Sequence, residues 1–454
     1  MLLSGLRSRL GAVRDGLRTQ MWPVPAIGIA LGLALGIGLP RLDGVFDDDL
    51  SPGLTAYLFE GGPSAARTLL GTIAGSLITV TSLTFSLTVL TLQLASSQFS
   101  PRLLRTFTRD RFVHVTLALF LGTFTYALAV LRTVRDDGDA RAVFVPQMSV
   151  TLAFILGVAS VLGLVLFLTH LAQEIRVETM LRKVHHDASS TVRRLLDERR
   201  PGVSRPGPVP PSDAVALEAG ASGFLVGLDE EALLAAAVEA DAIVVVDCVP
   251  GSALVAGTPV GVGWSRAGAF DRDALAGLRE RVAGAVTTGF ERTAAQDVGY
   301  GLRQLTDVAS KALSPGINDP TTAVHALGHS SALLCELTGR DLAPRLLSDE
   351  HDQVRVVLAR RGFADLLELA VAQPRRYGAA DPFVLAQLFA LLRELAWCAT
   401  GAEQQHAIAE QLARLRATAA AQDFDHIENA RLATLGALVE EAQARHWTLA
   451  PRTA

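Results

Sequence analysis

The sequence predicts an α-helical membrane domain of four transmembrane helices with both termini cytoplasmic. A mainly helical α+β cytoplasmic domain with a small β element follows it. Three observations predict this class. Residues 23–39, 68–95, 112–131 and 147–169 are apolar over close to the roughly 20 residues that a span needs. Between them, basic and acidic segments alternate in the order that the positive-inside rule reads. Beyond residue 176 the long apolar runs end, and the helix and strand periodicities of a soluble domain begin.

Composition agrees. Half of the 454 residues are hydrophobic and only 19% are charged, against about a quarter in ordinary soluble domains. The net charge of -5 is small for the length and excludes a dedicated nucleic-acid binder. Cys248, Cys335 and Cys398 are widely spaced in apolar runs, without CxxC or Cys/His zinc spacing. Reduced, buried thiols are expected, with no metal and no cofactor.

Taken in order, residues 1–22 carry Arg7, Arg9, Arg14 and Arg18 beside the stripe Leu3, Leu6, Leu10, Val13 and Leu17. They read either as an amphipathic helix on the inner leaflet or as a basic tail. The membrane domain is expected over residues 23–175. Its first span ends in "GIGLPRLD" without a small-residue cleavage site, and three spans follow, so it reads as an uncleaved helix. Gly28, Gly32 and Gly36 form a double GxxxG, a pattern that lets another helix approach closely. The next loop, "RLDGVFDDDLSPGLTAYLFEGG", is acidic, whereas Arg102, Arg105, Arg109 and Arg111 follow span two, and Arg176, Arg182 and Lys183 follow span four.

The second span is the unusual one: "SLITVTSLTFSLTVLTLQLASSQFSPR", from Ser76 to Arg102, is rich in Ser, Thr and Gln. At 100° per residue, Thr72, Ser76, Thr79, Ser82, Ser86, Gln93 and Ser97 share one face. Thr81, Thr84, Thr88, Thr91 and Gln98 share a roughly opposite one. Two arrangements accommodate them. The span sits centrally among the others with its small hydroxyls packed, or one face lines a hydrated path within a subunit or around an oligomer axis. The spans contain no Asp, Glu, Lys or Arg, which argues against a coupled transporter and leaves a passive pore lined by hydroxyls and amides.

Residues 176–212 are expected as a helix continuing span four and a Pro-rich linker, "PGVSRPGPVPPS". Residues 213–270 form the small α/β element: "SGFLVGL" and "AIVVVDCV" read as strands flanking the helix "DEEALLAAAVEA". The spacing from Gly251 to Pro259 suits a lipoyl-type hairpin, but without the lysine that would take the cofactor a small structural β element is the better expectation. Residues 271–454 are expected to be mainly helical, interrupted by the turn "SPGINDP" and one strand at "VRVVLAR". Asp297, Arg303, Gln304, Asp307, Asn318 and Asp319 form the candidate ligand or assembly site. Asn318 and Asp319 before Pro320 are equally what a turn and helix cap need. His325 and His329 share a helical face without the HExxH context of a zinc site. No GxSxG, P-loop or GxGxxG is present, so no enzyme and no catalytic residues are expected.

Two stretches, "SLTFSLTVLTLQLASSQFSPR" and "QDVGYGLRQLTDVASKALSPGINDPTTA", resemble a widespread family of bacterial integral membrane proteins, described as predicted membrane proteins with a domain of unknown function. The resemblance covers most of the chain. It implies four N-terminal spans, a cytoplasmic C-terminal domain and no established biochemical activity. The combined expectation is a multi-pass protein of the bacterial inner membrane that forms homo-oligomers in the lipid bilayer. It would build a passive, ion-conducting pore lined by the second span, assembled or gated by the cytoplasmic domain. The alternative is a non-conducting scaffold or sensor whose cytoplasmic domain binds a protein or a small ligand.

Overall fold

The computed structural model describes residues 22–46, 58–98, 110–136, 143–174, 176–199 and 207–449. The basic N-terminal segment, the arginines at 102, 105 and 109, and residues 201–206 of the linker lie outside them. The chain divides into two compact units, Met1–Arg176 and Val177–Ala454.

The first unit contains α1 (Pro23–Phe46), α2 (Pro63–Gln98), α3 (Arg111–Leu131) and α4 (Gln147–Glu174). Each includes a window long and apolar enough to cross a membrane. Proline at the first helical position opens α1 and α2, where its missing N–H costs nothing. Asp110 caps α3 by accepting from the Phe112 N–H at 2.9 Å. The 36 residues of α2 span roughly 54 Å at about 1.5 Å each, well beyond a hydrocarbon core of about 30 Å.

Of the two arrangements open to the second span, the central one is not what a single copy shows. Helix α3 is the centre: it packs against α1, α2 and α4. Half of its apolar window is buried, against 22% in each of the other three. Phe120, Tyr126 and Val130 of α3 are fully buried, whereas Leu31 of α1, Phe85 of α2 and Leu162 of α4 face outward. An apolar exterior of this kind is what lipid accommodates and water does not.

The second unit is α+β. Its helices are α5 (Val177–Leu195), α6 (Glu230–Glu239), α7 (Arg272–Ala285), α8 (Tyr300–Ala312), α9 (Pro320–Thr338), α10 (Phe363–Tyr377), α11 (Pro382–Cys398), α12 (Ala402–Ala420) and α13 (His426–Gln443). Its strands are β1 (Val215–Glu218), β2 (Gly223–Leu228), β3 (Ala242–Val246), β4 (Ala253–Leu254), β5 (Pro259–Ser265), β6 (Val286–Gly289), β7 (Arg345–Ser348) and β8 (Val354–Leu358). One sheet has the order β1-β5-β3-β8-β7 and the other β4-β2-β6. All pairings are antiparallel except β3 with β8. Val244, Val246 and Val356 of the first sheet share a core with Leu233 of α6 and Leu278 of α7.

Four expectations are corrected. The helical reading across residues 273–313 breaks at β6, where β-branched Val286, Thr287 and Thr288 pair with β2. The lipoyl-type hairpin does not form, because β4 joins β2 while β5 lies between β1 and β3. The expected boundary after residue 270 cuts through the larger sheet, which β7 and β8 complete. The helix after span four is separate from α4: α5 begins at Val177 and packs against α8 and α9.

Candidate functional site

The two hydroxyl faces of α2 meet different surroundings. Thr84, Thr88 and Thr91 are buried, in line with Ala66, Leu70, Ala74 and Leu77. The other face is on the outside: Thr72, Ser76, Thr79, Ser82, Ser86 and Gln93 are all exposed. The side chain of Ser97 lies outside the described residues. No path inside a single copy therefore uses the face expected to line one.

On both faces most hydroxyls return their proton to their own helix. Thr72, Thr79 and Ser86 donate to the carbonyls of Thr68, Gly75 and Ser82 at 2.7, 3.2 and 2.9 Å. Thr84, Thr88 and Thr91 do the same at 2.8, 2.8 and 2.9 Å. This i-4 bonding is how a helix carries hydroxyls without a partner. The exposed residues also have a regular register. Thr68, Thr72, Gly75, Thr79, Ser82, Ser86, Val89 and Gln93 follow alternating intervals of four and three, the seven-residue repeat of a helix–helix seam. A Cβ added to Gly71 or Gly75 would meet open space.

The glycines of α1 serve contacts within the unit. A Cβ on Gly28 would stand 2.5 Å from the Ala118 carbonyl oxygen, one on Gly32 would strike Gly122, and one on Gly36 would lie 2.5 Å from the Ala129 Cβ. All three partners are on α3. Sequence reasoning missed Asp43, which it placed in the acidic loop. Asp43 lies on α1, is 3% exposed, and caps α4: it accepts from the N–H groups of Met148 and Ser149 at 3.1 and 3.0 Å and from the Ser149 hydroxyl at 2.5 Å.

In the second unit, the six polar residues singled out by sequence do not converge. Asp297 precedes α8, while Asn318 and Asp319 follow it. The 13 residues between separate the two ends by roughly 20 Å. Asn318 takes a left-handed conformation at φ 50°. Asp319 caps α9, accepting from the Thr322 N–H at 3.1 Å and its hydroxyl at 2.6 Å. The Thr322 hydroxyl, foremost among its contacts, holds the Asp319 carboxyl below its ordinary pKa. Both residues thus serve the turn and cap. Arg303 and Asp307 are half-buried on α8, and Gln304 is buried.

Asp297 stands apart, with its side chain 2% exposed. One carboxylate oxygen accepts from Arg292 at 2.5 Å; the other accepts from the Gly299 N–H at 3.0 Å and lies 3.9 Å from Arg361. Gly251, at φ 89°, backs this pair: a Cβ there would collide with Asp297 and come within 2.7 Å of Arg292. The neighbouring Gln296 bonds the backbone of Leu228 twice, accepting from its N–H at 2.8 Å and donating to its carbonyl at 3.1 Å. Asp297 and Gln296 line a cavity of about 240 Å³ with Arg194, Arg345, Arg360 and Arg361. Only Asp297 of the sequence-selected residues reaches it.

Other chemistry-bearing groups are local pairs. Asp110, His170 and Glu174 place ligand atoms within 4.8 Å of one another, a donor set that suits a divalent cation. Sequence reasoning missed it, because Asp110 lies 60 and more residues from His170 and Glu174; Asp110 Oδ2 lies 2.5 Å from His170 Nε2. His325 pairs with Glu178 at 3.7 Å, and His185 Nδ1 lies 3.3 Å from the His329 carbonyl oxygen, linking α9 to α5. The three cysteines are free, but Cys398 is exposed and the other two are half-buried, which corrects the expectation of buried thiols. Cys398 is the last residue of α11.

The family described as predicted membrane protein (DUF2254) matches residues 18–394. Among curated relatives, an uncharacterized protein of Mycobacterium bovis is 37% identical over 459 residues, covering 99% of this chain and 85% of the relative. An uncharacterized protein of Mycobacterium tuberculosis matches with the same identity and the same coverage. No solved structure matches the chain.

Proposed function

The chain belongs to the DUF2254 family of predicted membrane proteins, and on that premise we propose that it self-associates in the membrane through the outer hydroxyl face of α2. Several copies together enclose a passive, uncharged polar path. The carrying observation is the exposed seam on α2: small and hydroxyl residues at four-three spacing, with open space over Gly71 and Gly75. Small residues let membrane helices approach closely, and left-handed seams are the common geometry there. The glycines of α1 are already used against α3, which leaves α2 as the face for a neighbour.

The chemistry of the face narrows the permeant. A serine or threonine hydroxyl has one proton to donate and lone pairs to accept. Thr72, Thr79 and Ser86 have given their protons to their own helix, so their oxygens turn acceptor lone pairs outward. Such a lining suits water or a small cation rather than an anion. In this reading both termini lie on the cytoplasmic side of the bacterial inner membrane, a topology that the arginines after spans two and four support.

Mass photometry in nanodiscs and potassium flux from liposomes test it together. The wild type is expected as a ring of three or more copies that passes potassium above empty liposomes. Gly75→Leu is expected to lower the copy number, and Ser86→Leu to reduce flux. A monomeric wild type sinks self-association; a ring without flux sinks the path.

A further inference from the structure

The cavity beside Asp297 lies at the carboxyl ends of the two parallel strands of the larger sheet. Val249 and Pro250 follow β3; Ala359, Arg360 and Arg361 follow β8. In open α/β sheets this is the place where ligands lie, because the chain leaves adjacent strands there and opens a crevice.

Its charge is one-sided. Four guanidinium groups, Arg194, Arg345, Arg360 and Arg361, face two carboxylates, Asp297 and Glu230. Both carboxylates are engaged. Asp297 is held by Arg292, which stands outside the lining, and Glu230 pairs with Arg345 at 2.9 Å. Arg360 donates to the backbone carbonyls of Asp341 and Leu195, each at 3.3 Å, and Arg194 to those of Ala295 and Ala294 at 3.0 and 3.4 Å. Arg361 keeps a buried Nε without a hydrogen-bond partner. Burial, with Arg345 nearby, pushes Arg360 below its ordinary pKa, although Asp341, Asp197 and Glu230 act the other way.

We propose that this cavity binds a small phosphomonoester, its phosphate held between Arg360 and Arg361 and its apolar portion set against Leu228, Val249 and Leu358. Two features select the class. The lining carries two positive charges in excess, and a phosphomonoester brings about -1.5 to -2 at neutral pH, where a carboxylate brings one. Planar guanidinium forks also match phosphate oxygens two at a time. The volume of about 240 Å³ falls below the roughly 300–1,000 Å³ of drug-sized sites, so the ligand is small. This site is independent of the path along α2.

Isothermal titration of the full chain in detergent, with inorganic phosphate, phenyl phosphate and benzoate as probes, tests the proposal. Phenyl phosphate is expected to bind more tightly than phosphate, and benzoate least. Affinity for phenyl phosphate is expected to rise with pH through about 6, as its dianion forms. Arg361→Gln and Arg360→Gln are each expected to lower the phenyl phosphate affinity about tenfold or more. If either variant fails to fold, Arg194→Gln at the exposed rim is expected to lower it about threefold, while Arg414→Gln on α12 leaves it unchanged. Nanodiscs with and without phosphatidic acid separate the two sources of the headgroup: competition by that lipid means a lipid phosphomonoester occupies the cavity, and its absence means a soluble one. No binding of either phosphate at millimolar concentration, or equal binding in wild type and the cavity variants, overturns the proposal.

Discussion

Gly28 of α1 lies so close to Ala118 of α3 that a Cβ added to it would stand 2.5 Å from the Ala118 carbonyl oxygen. The contact is backbone against backbone, so no side chain can rotate away to relieve it. Helix α1 is held to the centre of the unit by the lack of side chains, and Gly32 repeats the arrangement one turn on.

Gly28→Val is therefore expected to destabilise the first unit by about 1–3 kcal/mol, the usual cost of overpacking a fitted interface. Thermal unfolding in detergent reads the loss. Ala118→Gly, which leaves the Gly28 contact without a new Cβ, should not cost as much, and an equal loss in both variants would remove the close contact from the account.

Asp297→Ala is expected to cost about 3 kcal/mol or more. It leaves Arg292, 17% exposed, without its carboxylate, and removing one partner of a buried pair is the expensive step. Chemical denaturation of the full chain measures it, and a change below about 1 kcal/mol would mean that water solvates Arg292 freely.

Asp319→Ala is expected to cost about 1 kcal/mol, the usual value of an N-cap. Its pH dependence has a definite sign. The folded-state carboxyl lies below its ordinary value, so its contribution is complete above about pH 4 and is lost as pH falls through the lowered value. Wild type and variant should converge in stability below that range, and a gap that persists undiminished at pH 2 would assign the loss to something other than the charged cap.

Much of this was legible in the sequence where the signal is local. The β-branched run from Ala242 announces β3, Asp229 announces the start of α6, and the glycine interval of α1 announces a close packing face. The two faces of α2 were legible as a pattern, but periodicity alone assigns no neighbour to either. Which face meets α3 depends on the other helices, and the one with threonines beside Ala66, Leu70 and Ala74 was buried. Asp43 was misplaced because α1 runs on past Pro40, where a proline ordinarily ends the reading. The arginine cavity gave the weakest signal of all. Its members come from α5, the start of α6, the turn after β3, the approach to α8, the start of β7 and the end of β8, and no window of sequence contains them together. The one local hint was the Arg360–Arg361 doublet at the end of a predicted strand.

The parallel pairing of β3 with β8 has a consequence for how the protein is made. Val244 and Val356 are register partners, yet three helices and four strands are synthesised between them. Contacts so distant along the chain are slow to form, because a long loop must close before they repay its entropy. On the ribosome, β3 waits with one edge bare until β8 has emerged. That interval is when the unit is most open to misassembly, and it ends when the residues carrying Arg360 and Arg361 arrive. Completion of the sheet and completion of the arginine cavity are thus a single late event in the birth of the chain.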